Sequence, residues 1–521
     1  MTSPGAQDRL SDQSDRRSDA RPPAGAGLSR TPPPEARSPG VVPVPLIFLL
    51  SVCGYFALQV VFRVLSADNL GLDEAEQLVM GQSLQAGYGP QPPLYTWLFL
   101  ALQPITGESV LTLALLKFGL LAVTLCATFR LCRQLFGDPL AAAVAALSLL
   151  YLPQVFWESQ RALTHSVIAL AAVALASTVF VDLVTRRRTR DYWLFGAALA
   201  ACALSKHNAL FLPLGLLLAA LLLPAARPAL LDRRTVWALG LSFLLFAPNL
   251  IWMALNGEAV LARSAKLGFD PSTGALDSLS AVGRALLSFA LLPALLIGLI
   301  ALAPDREGKP TWQVSLQVRR LLTLALGLAA SFVLLIVLAA SVDNMKDRWL
   351  TPFLFLAVPV ALAWIAPRLT RRRLRMAAAV AVAIAVGSMA ALWLRQFLPA
   401  DWADPPNMEA PFDLLATELP EDGLLLSTSN WVAGNLRLHR PGLSAATPEY
   451  KAVLRLPPTG PVLLVWRARD GEAVPQALEA LAEEALGRSL PADLPVTILE
   501  APYPGGVPTL ALHLVQVAVS P

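Results

Sequence analysis

The stretch PVPLIFLLSVCGYFALQVVFRVLSADNLGLDEAEQLVM, residues 43–80, joins the two features on which the reading of this chain turns. Its first part, 43–65, carries no charge before Arg63. At 1.5 Å per helical residue it is long enough to cross a hydrocarbon core of about 30 Å. A few residues further on stand the adjacent carboxylates Asp73 and Glu74, with Glu76 close behind. Acidic residues contribute little to membrane orientation, so topology alone does not require them there.

Working outward, the same kind of apolar segment recurs. After 43–65 come segments at about 109–132, 139–154, 163–184, 191–205, 208–225, 235–255, 284–303, 320–341, 349–366 and 376–398. Together they predict eleven spans. The bulk numbers agree: the chain is 55% hydrophobic and 15% charged, with a mean hydropathy of +0.56. A soluble domain carries about 25% charged residues, so much of this chain must take lipid as its solvent.

The net charge of +4 is no sign of a nucleic-acid partner. Its arginines sit in short clusters between apolar segments, such as Arg186, Arg187, Arg188 and Arg190, or Arg371, Arg372, Arg373 and Arg375. Such clusters mark cytoplasmic loops. The alternate loops are poorer in positive charge, and residues 66–108 contain no Lys or Arg. Eleven spans then place the N-terminus in the cytoplasm and the C-terminus outside. The four cysteines, Cys53, Cys126, Cys132 and Cys202, lie in or beside apolar segments without metal-ligand spacing and read as small packing residues.

The ends differ from the middle. Residues 1–40 are rich in Pro, Ser, Arg and Asp and are expected to form a disordered cytoplasmic tail. Residues 400–521 lose the long apolar runs. There GLLLSTS (423–429), PVLLVW (461–466) and PTLALHLVQVAV (508–519) read as strands, and Glu472 to Arg488 reads as a helix. The expected architecture is an all-α polytopic membrane domain over 41–399 followed by a small exoplasmic α/β domain.

The loop 66–108 concentrates the chemistry. Asp73 and Glu74 open a helix-like stretch, Gly87 to Pro93 breaks it, and Tyr95, Trp97 and Phe99 then form an aromatic segment suited to the membrane interface. A carboxylate held at that surface can take a proton from a polar acceptor while a lipid-linked donor keeps its tail in the bilayer. Acids also favour helix N-termini, and the residues alone leave both readings open.

Several motifs, in order, resemble those of bacterial glycosyltransferase family 39, the protein O-mannosyltransferase-like and aminoarabinose-transferase-like enzymes of the GT-C fold. They are LDEAEQLVMGQSL (72–84), GPQPPLYTWL (89–98, with Gln91 where His is usual), LCRQLFGDPLAAAVAALSLLYLP (131–153), ALSKHNALFLPL (203–214), APNLIWMALNG (247–257) and KDRWLTPFLFLAVP (346–359). The resemblance covers roughly residues 43–400 and implies about eleven transmembrane helices with interfacial helices in the first external loop.

It further implies a polyprenyl-phosphate-linked sugar as donor and an envelope glycan, lipid or protein as acceptor, joined by an inverting displacement at the periplasmic face of the bacterial inner membrane. Asp73 would then be the base that deprotonates the acceptor, with Glu74 shaping the site. Lys206, on a short turn between spans, would bind the departing phosphate, followed by Arg348 and Arg161. A Lys at membrane depth is otherwise explained by snorkelling to the interface. Where the family often carries a second acid, this chain has Thr164, His165 and Ser166, so a second polar site falls to Glu158 or His165. No metal-binding set is evident, although a divalent ion is compatible with the family. His165 reads equally as a polar residue satisfied at a helix start.

The rival from another class is a lipid or solute transporter or flippase. Transporters place ionisable groups mid-span and tend to carry internal repeats. Here the charges gather near span ends, and no repeat stands out.

Overall fold

The computed structural model describes residues 43–261, 274–304, 312–394 and 407–518, apart from 456, 459, 492 and 505–507. The expected tail 1–40 and the boundary near 400 lie outside the described residues. Helix α1 (Val44–Ser66) is the first span. A short connection leads to α2 (Leu72–Met80), where the Glu74 carboxylate reaches back to the Gly71 N–H at 3.2 Å. Gly71 has no side chain to cap the helix, so Glu74 satisfies an N–H that the first turn cannot. Helix α3 (Leu94–Thr106) starts behind Pro92 and Pro93 and stops at Gly107, whose φ of 75° suits glycine. Helix α4 (Val110–Leu135) follows, with the Ser109 hydroxyl accepting from the Thr112 N–H. The connection 66–108 is therefore two short helices lying between two long ones, as its residues suggest.

Among the described residues, seven helices are long and apolar enough to cross a membrane. An eighth span results if Pro139–Tyr151 and Gln154–Arg161 count as one element bent by 78°. The bend falls at Leu152-Pro153, where the proline steers the preceding residue away from helical angles; Leu152 has φ −86° and ψ 117°. Eleven full spans are not reached by this measure. The remaining three expected segments are helices too, but short: Thr189–Ser205, His207–Leu222 and Thr351–Trp364. The first two are cut apart by the polar turn at Lys206. The third has Pro352 and Pro359 within it.

The chain ends in a five-stranded sheet of order β2-β1-β3-β5-β4. Strands β1 (Gly423–Ser427), β2 (Leu443–Ala446) and β3 (Val462–Arg467) run parallel, whereas β4 (Thr497–Pro502) and β5 (Thr509–Val517) add an antiparallel edge. All three segments expected as strands are β1, β3 and β5, and the expected helix is Gln476–Leu486. The short β2 and the alternating β4 were not legible, and neither was the helix Asn430–His439.

That last helix ties the sheet to the first loop. Gly434 lies so close to α2 that a Cβ there would sit 2.2 Å from the Ala75 carbonyl oxygen. Asn435, fully buried, accepts from the Leu70 N–H at 2.7 Å and donates to the Leu70 carbonyl at 3.2 Å. The Trp431 indole N–H donates to that same carbonyl, and Arg437 grips Glu108 with 2.8 and 2.9 Å bonds. Val44 and the described residues after it thus form one compact unit.

Candidate active site

A cavity of roughly 680 Å³ lies between the start of α2, the Glu158–Leu163 turn and the loops above β1 and β2. Asp73, Glu158, Arg161 and Arg348 all line it. Three stretches of chain far apart in sequence therefore converge on one space, which Glu74 lines as well. Arg161 and Arg348 form no ion pair among the described residues, which leaves both guanidinium groups for an anion.

Asp73 is half-buried, and its carboxylate accepts a 2.7 Å hydrogen bond from the Leu163 backbone N–H. Leu163 adopts φ 69° and ψ 50°, a left-handed conformation that costs a non-glycine residue about 1–2 kcal/mol. This twist turns its N–H toward α2 just before the helix Thr164–Arg186 begins.

Glu74 stands next in sequence but in another environment. Only 2% of it is exposed, and its two oxygens meet Arg63 at 2.7 Å and Lys117 at 2.8 Å. Burial by itself would raise its pKa. The two cations outweigh this and hold the carboxyl well below the usual carboxylate range. Fully engaged in this way, Glu74 fixes α2 against α1 and α4, whereas the neighbouring Asp73 carries no ion pair among the described residues. Neither Arg63 nor Lys117 was singled out from sequence. The available signal was Lys117 itself, a cation seven residues inside an apolar span, and it corrects the view that the charges gather only near span ends.

Lys206 does not line the cavity; it donates to the Ser166 hydroxyl at 2.9 Å. Burial lowers its pKa to about 8; the Asp73 carboxylate opposes that shift and Arg348 adds to it. The lysine, the carboxylate and the guanidinium therefore share one electrostatic environment. Ser166 is the residue of the Thr164-His165-Ser166 run that reaches it.

His165 is not part of the cavity lining. It is buried, with Nε2 at 3.0 Å from the Gln77 side-chain nitrogen and its ring 5.8 Å from that of Tyr95. Gln77 in turn accepts from Thr96 at 2.9 Å, so His165 stitches α2 and α3 to the helix behind them. Burial, followed by the nearby Glu74 and Asp73 carboxylates, pushes the Tyr95 phenol far up its scale. Among the described residues no three His, Cys, Asp or Glu side chains gather as metal ligands.

A half-buried carboxylate facing a space lined by free guanidinium groups is what group transfer from a lipid phosphate requires: a base for the acceptor and fixed positive charge for the leaving phosphate. The fold is that of the GT-C membrane glycosyltransferases.

Comparison with known proteins agrees. Residues 90–252 match the family model described as dolichyl-phosphate-mannose-protein mannosyltransferase. The chain is 30% identical to the lipopolysaccharide core galacturonosyltransferase RgtA of Rhizobium johnstonii, over 85% of this chain and 90% of that one. It is 29% identical to RgtB of the same organism, over 88% and 94% respectively. The fold superposes on ArnT from Cupriavidus metallidurans bound to undecaprenyl phosphate, with a TM-score of 0.58 at 12% identity, covering 90% of this chain and 97% of that one. The protein belongs to the glycosyltransferase family that contains RgtA and RgtB, and is a multi-pass membrane enzyme. This removes the transporter reading.

Proposed function

We propose that the enzyme transfers a galacturonosyl residue from a polyprenyl phosphate carrier to a sugar hydroxyl of lipopolysaccharide core, at the periplasmic face of the inner membrane. The observation that carries this reading is the convergence of Asp73 with Arg161 and Arg348 on one cavity, backed by Lys206. The sugar and acceptor are those named for the curated relatives, and a carrier of this class is bound in the ArnT structure.

In the proposed step Asp73 removes the proton from the acceptor hydroxyl. The oxygen attacks the anomeric carbon, and the bond from that carbon to the phosphate oxygen breaks with inversion. The electron pair departs with the lipid phosphate, whose growing charge is met by Lys206 and Arg348. A preorganised cation in a water-poor cleft stabilises such charge far better than water does. Arg161, on the cavity surface, is then the cation available to a uronate carboxylate. Planar carboxylates suit the two-pronged geometry of arginine.

The test uses purified protein in nanodiscs, wild type beside Asp73→Asn. Polyprenyl-phosphate-linked galacturonate, galactose and aminoarabinose are offered with rough-type lipopolysaccharide. Transfer of galacturonate by the wild type is expected, falling about 10²–10⁴-fold in Asp73→Asn while the fold persists. Undiminished transfer by Asp73→Asn would remove Asp73 from the role of base. Preference for galactose or aminoarabinose would overturn the uronate assignment.

A further inference from the structure

A second cavity, of roughly 570 Å³, opens beside the first. Pro448 and Glu449 line both, so the loop that carries them is a shared wall. Helix α2 runs along both as well. Asp73 and Glu76 line the first cavity, whereas Val79 and Met80 line the second. From Asp73 to Met80 is a rise of about 10 Å along the helix. The Tyr450 hydroxyl donates to the Glu76 carboxylate at 2.6 Å and pins the wall to α2.

The lining of this second space is ring-bearing and polar. The Trp252 ring lies against Gly87, where even a Cβ would come within 2.2 Å of it, so the indole is held in place. The Tyr88 hydroxyl is fixed by donating to the Ser83 carbonyl at 2.7 Å and accepting from the Gln85 N–H at 3.0 Å. Lys451 is occupied by Glu484 at 2.6 Å. Arg455, exposed at the rim, forms no ion pair among the described residues.

The part-exposed Trp252 ring offers a flat face to the C–H side of a sugar, while Tyr88 and Tyr450 are buried in the wall, and the surrounding polar groups suit its hydroxyls. A lipid tail would call for an uncharged lining. The donor's phosphate is accounted for by the cations at the first cavity. We infer that the second cavity is the acceptor subsite, seating the saccharide units next to the one whose hydroxyl reaches Asp73. This rests on the transferase reading above.

The experiment titrates lipid-free core oligosaccharide, prepared from rough-type lipopolysaccharide, into the full-length enzyme in nanodiscs by calorimetry. No sugar donor is present, so binding is read without turnover. Ala452→Trp fills the cavity, and Arg455→Glu reverses charge at an exposed position. Wild type is expected to bind, and both variants to bind about tenfold more weakly or worse. Donor binding, measured separately, should be unchanged in both. Absence of wild-type binding, or both variants binding as wild type does, overturns the subsite. Binding that responds to both variants supports it even where donor turnover fails, which would count against the proposed donor alone.

Discussion

The Asp73 carboxylate is held at 2.7 Å by the backbone N–H of Leu163, a leucine in left-handed conformation ninety positions further along the chain. The positioning of the Asp73 carboxylate thus depends on a strained turn that separates the Glu158–Arg161 edge of the cavity from the helix Thr164–Arg186. Glycine adopts this conformation freely. Leu163→Gly is therefore expected to raise the unfolding free energy by about 1 kcal/mol, read as a higher thermal midpoint in detergent, while leaving the N–H in place. A lowered midpoint would mean that the leucine side chain contributes more by packing than its backbone costs.

The buried set of Arg63, Glu74 and Lys117 gives a second expectation. Removing the carboxylate leaves two cations without compensation. Glu74→Gln should destabilise by about 3–5 kcal/mol, as for other broken buried pairs. Lys117→Met leaves the Arg63–Glu74 pair intact and should cost clearly less. Thermal unfolding of both variants decides the order, and the reverse order would show that Lys117 is the main partner of Glu74.

Lys206 predicts a pH dependence. With its pKa lowered to about 8, its charge is present below that pH and lost above it. For the free enzyme kcat/KM should fall as pH rises through about 8, and Lys206→Arg, which stays charged, should remove that limb. Stability should move the other way. The unfolded chain keeps the proton up to the ordinary 10.5, while the folded chain releases it from about 8. The unfolded state binds more protons in that window, so stability climbs with pH across it. A flat kcat/KM profile through pH 8 would detach Lys206 from the leaving group.

The seam between α2 and Asn430–His439 has no room for side chains at Gly434. Gly434→Val should drive the helix away from Ala75, shift the start of α2 and lower transfer by more than about tenfold. Transfer activity, with the thermal midpoint as a second readout, checks this. Full activity would show that the seam can open without moving Asp73.

How much of this was open to the sequence depends on the range of the interaction. Hydropathy over some twenty residues is a local property, so the helices and their order follow from it directly. The same holds for the Asp73 helix, the interfacial segment and three of the five strands. The shortfall in full spans arises where single residues interrupt an apolar run, as Lys206 does, because average hydropathy hides a break of one residue. The candidates Asp73, Glu74, Glu158, Arg161, His165, Lys206 and Arg348 came from motif and topology; Asp73, Glu74, Glu158, Arg161 and Arg348 line one cavity, whereas Lys206 and His165 do not. Glu74 and His165 carried the same sequence signal but face other partners.

The chain by itself determined a polytopic membrane enzyme with an acidic first loop, since lipid solvation constrains every twenty-residue window regardless of what lies elsewhere. Which carboxylate is tied up by buried cations was decided only in three dimensions. Glu74 is neutralised by Lys117 from 43 positions away, and the wall beside Asp73 is set by a Glu76–Tyr450 bond spanning 374. Charges buried at such separations find their partners through packing, and no local pattern of residues encodes that pairing.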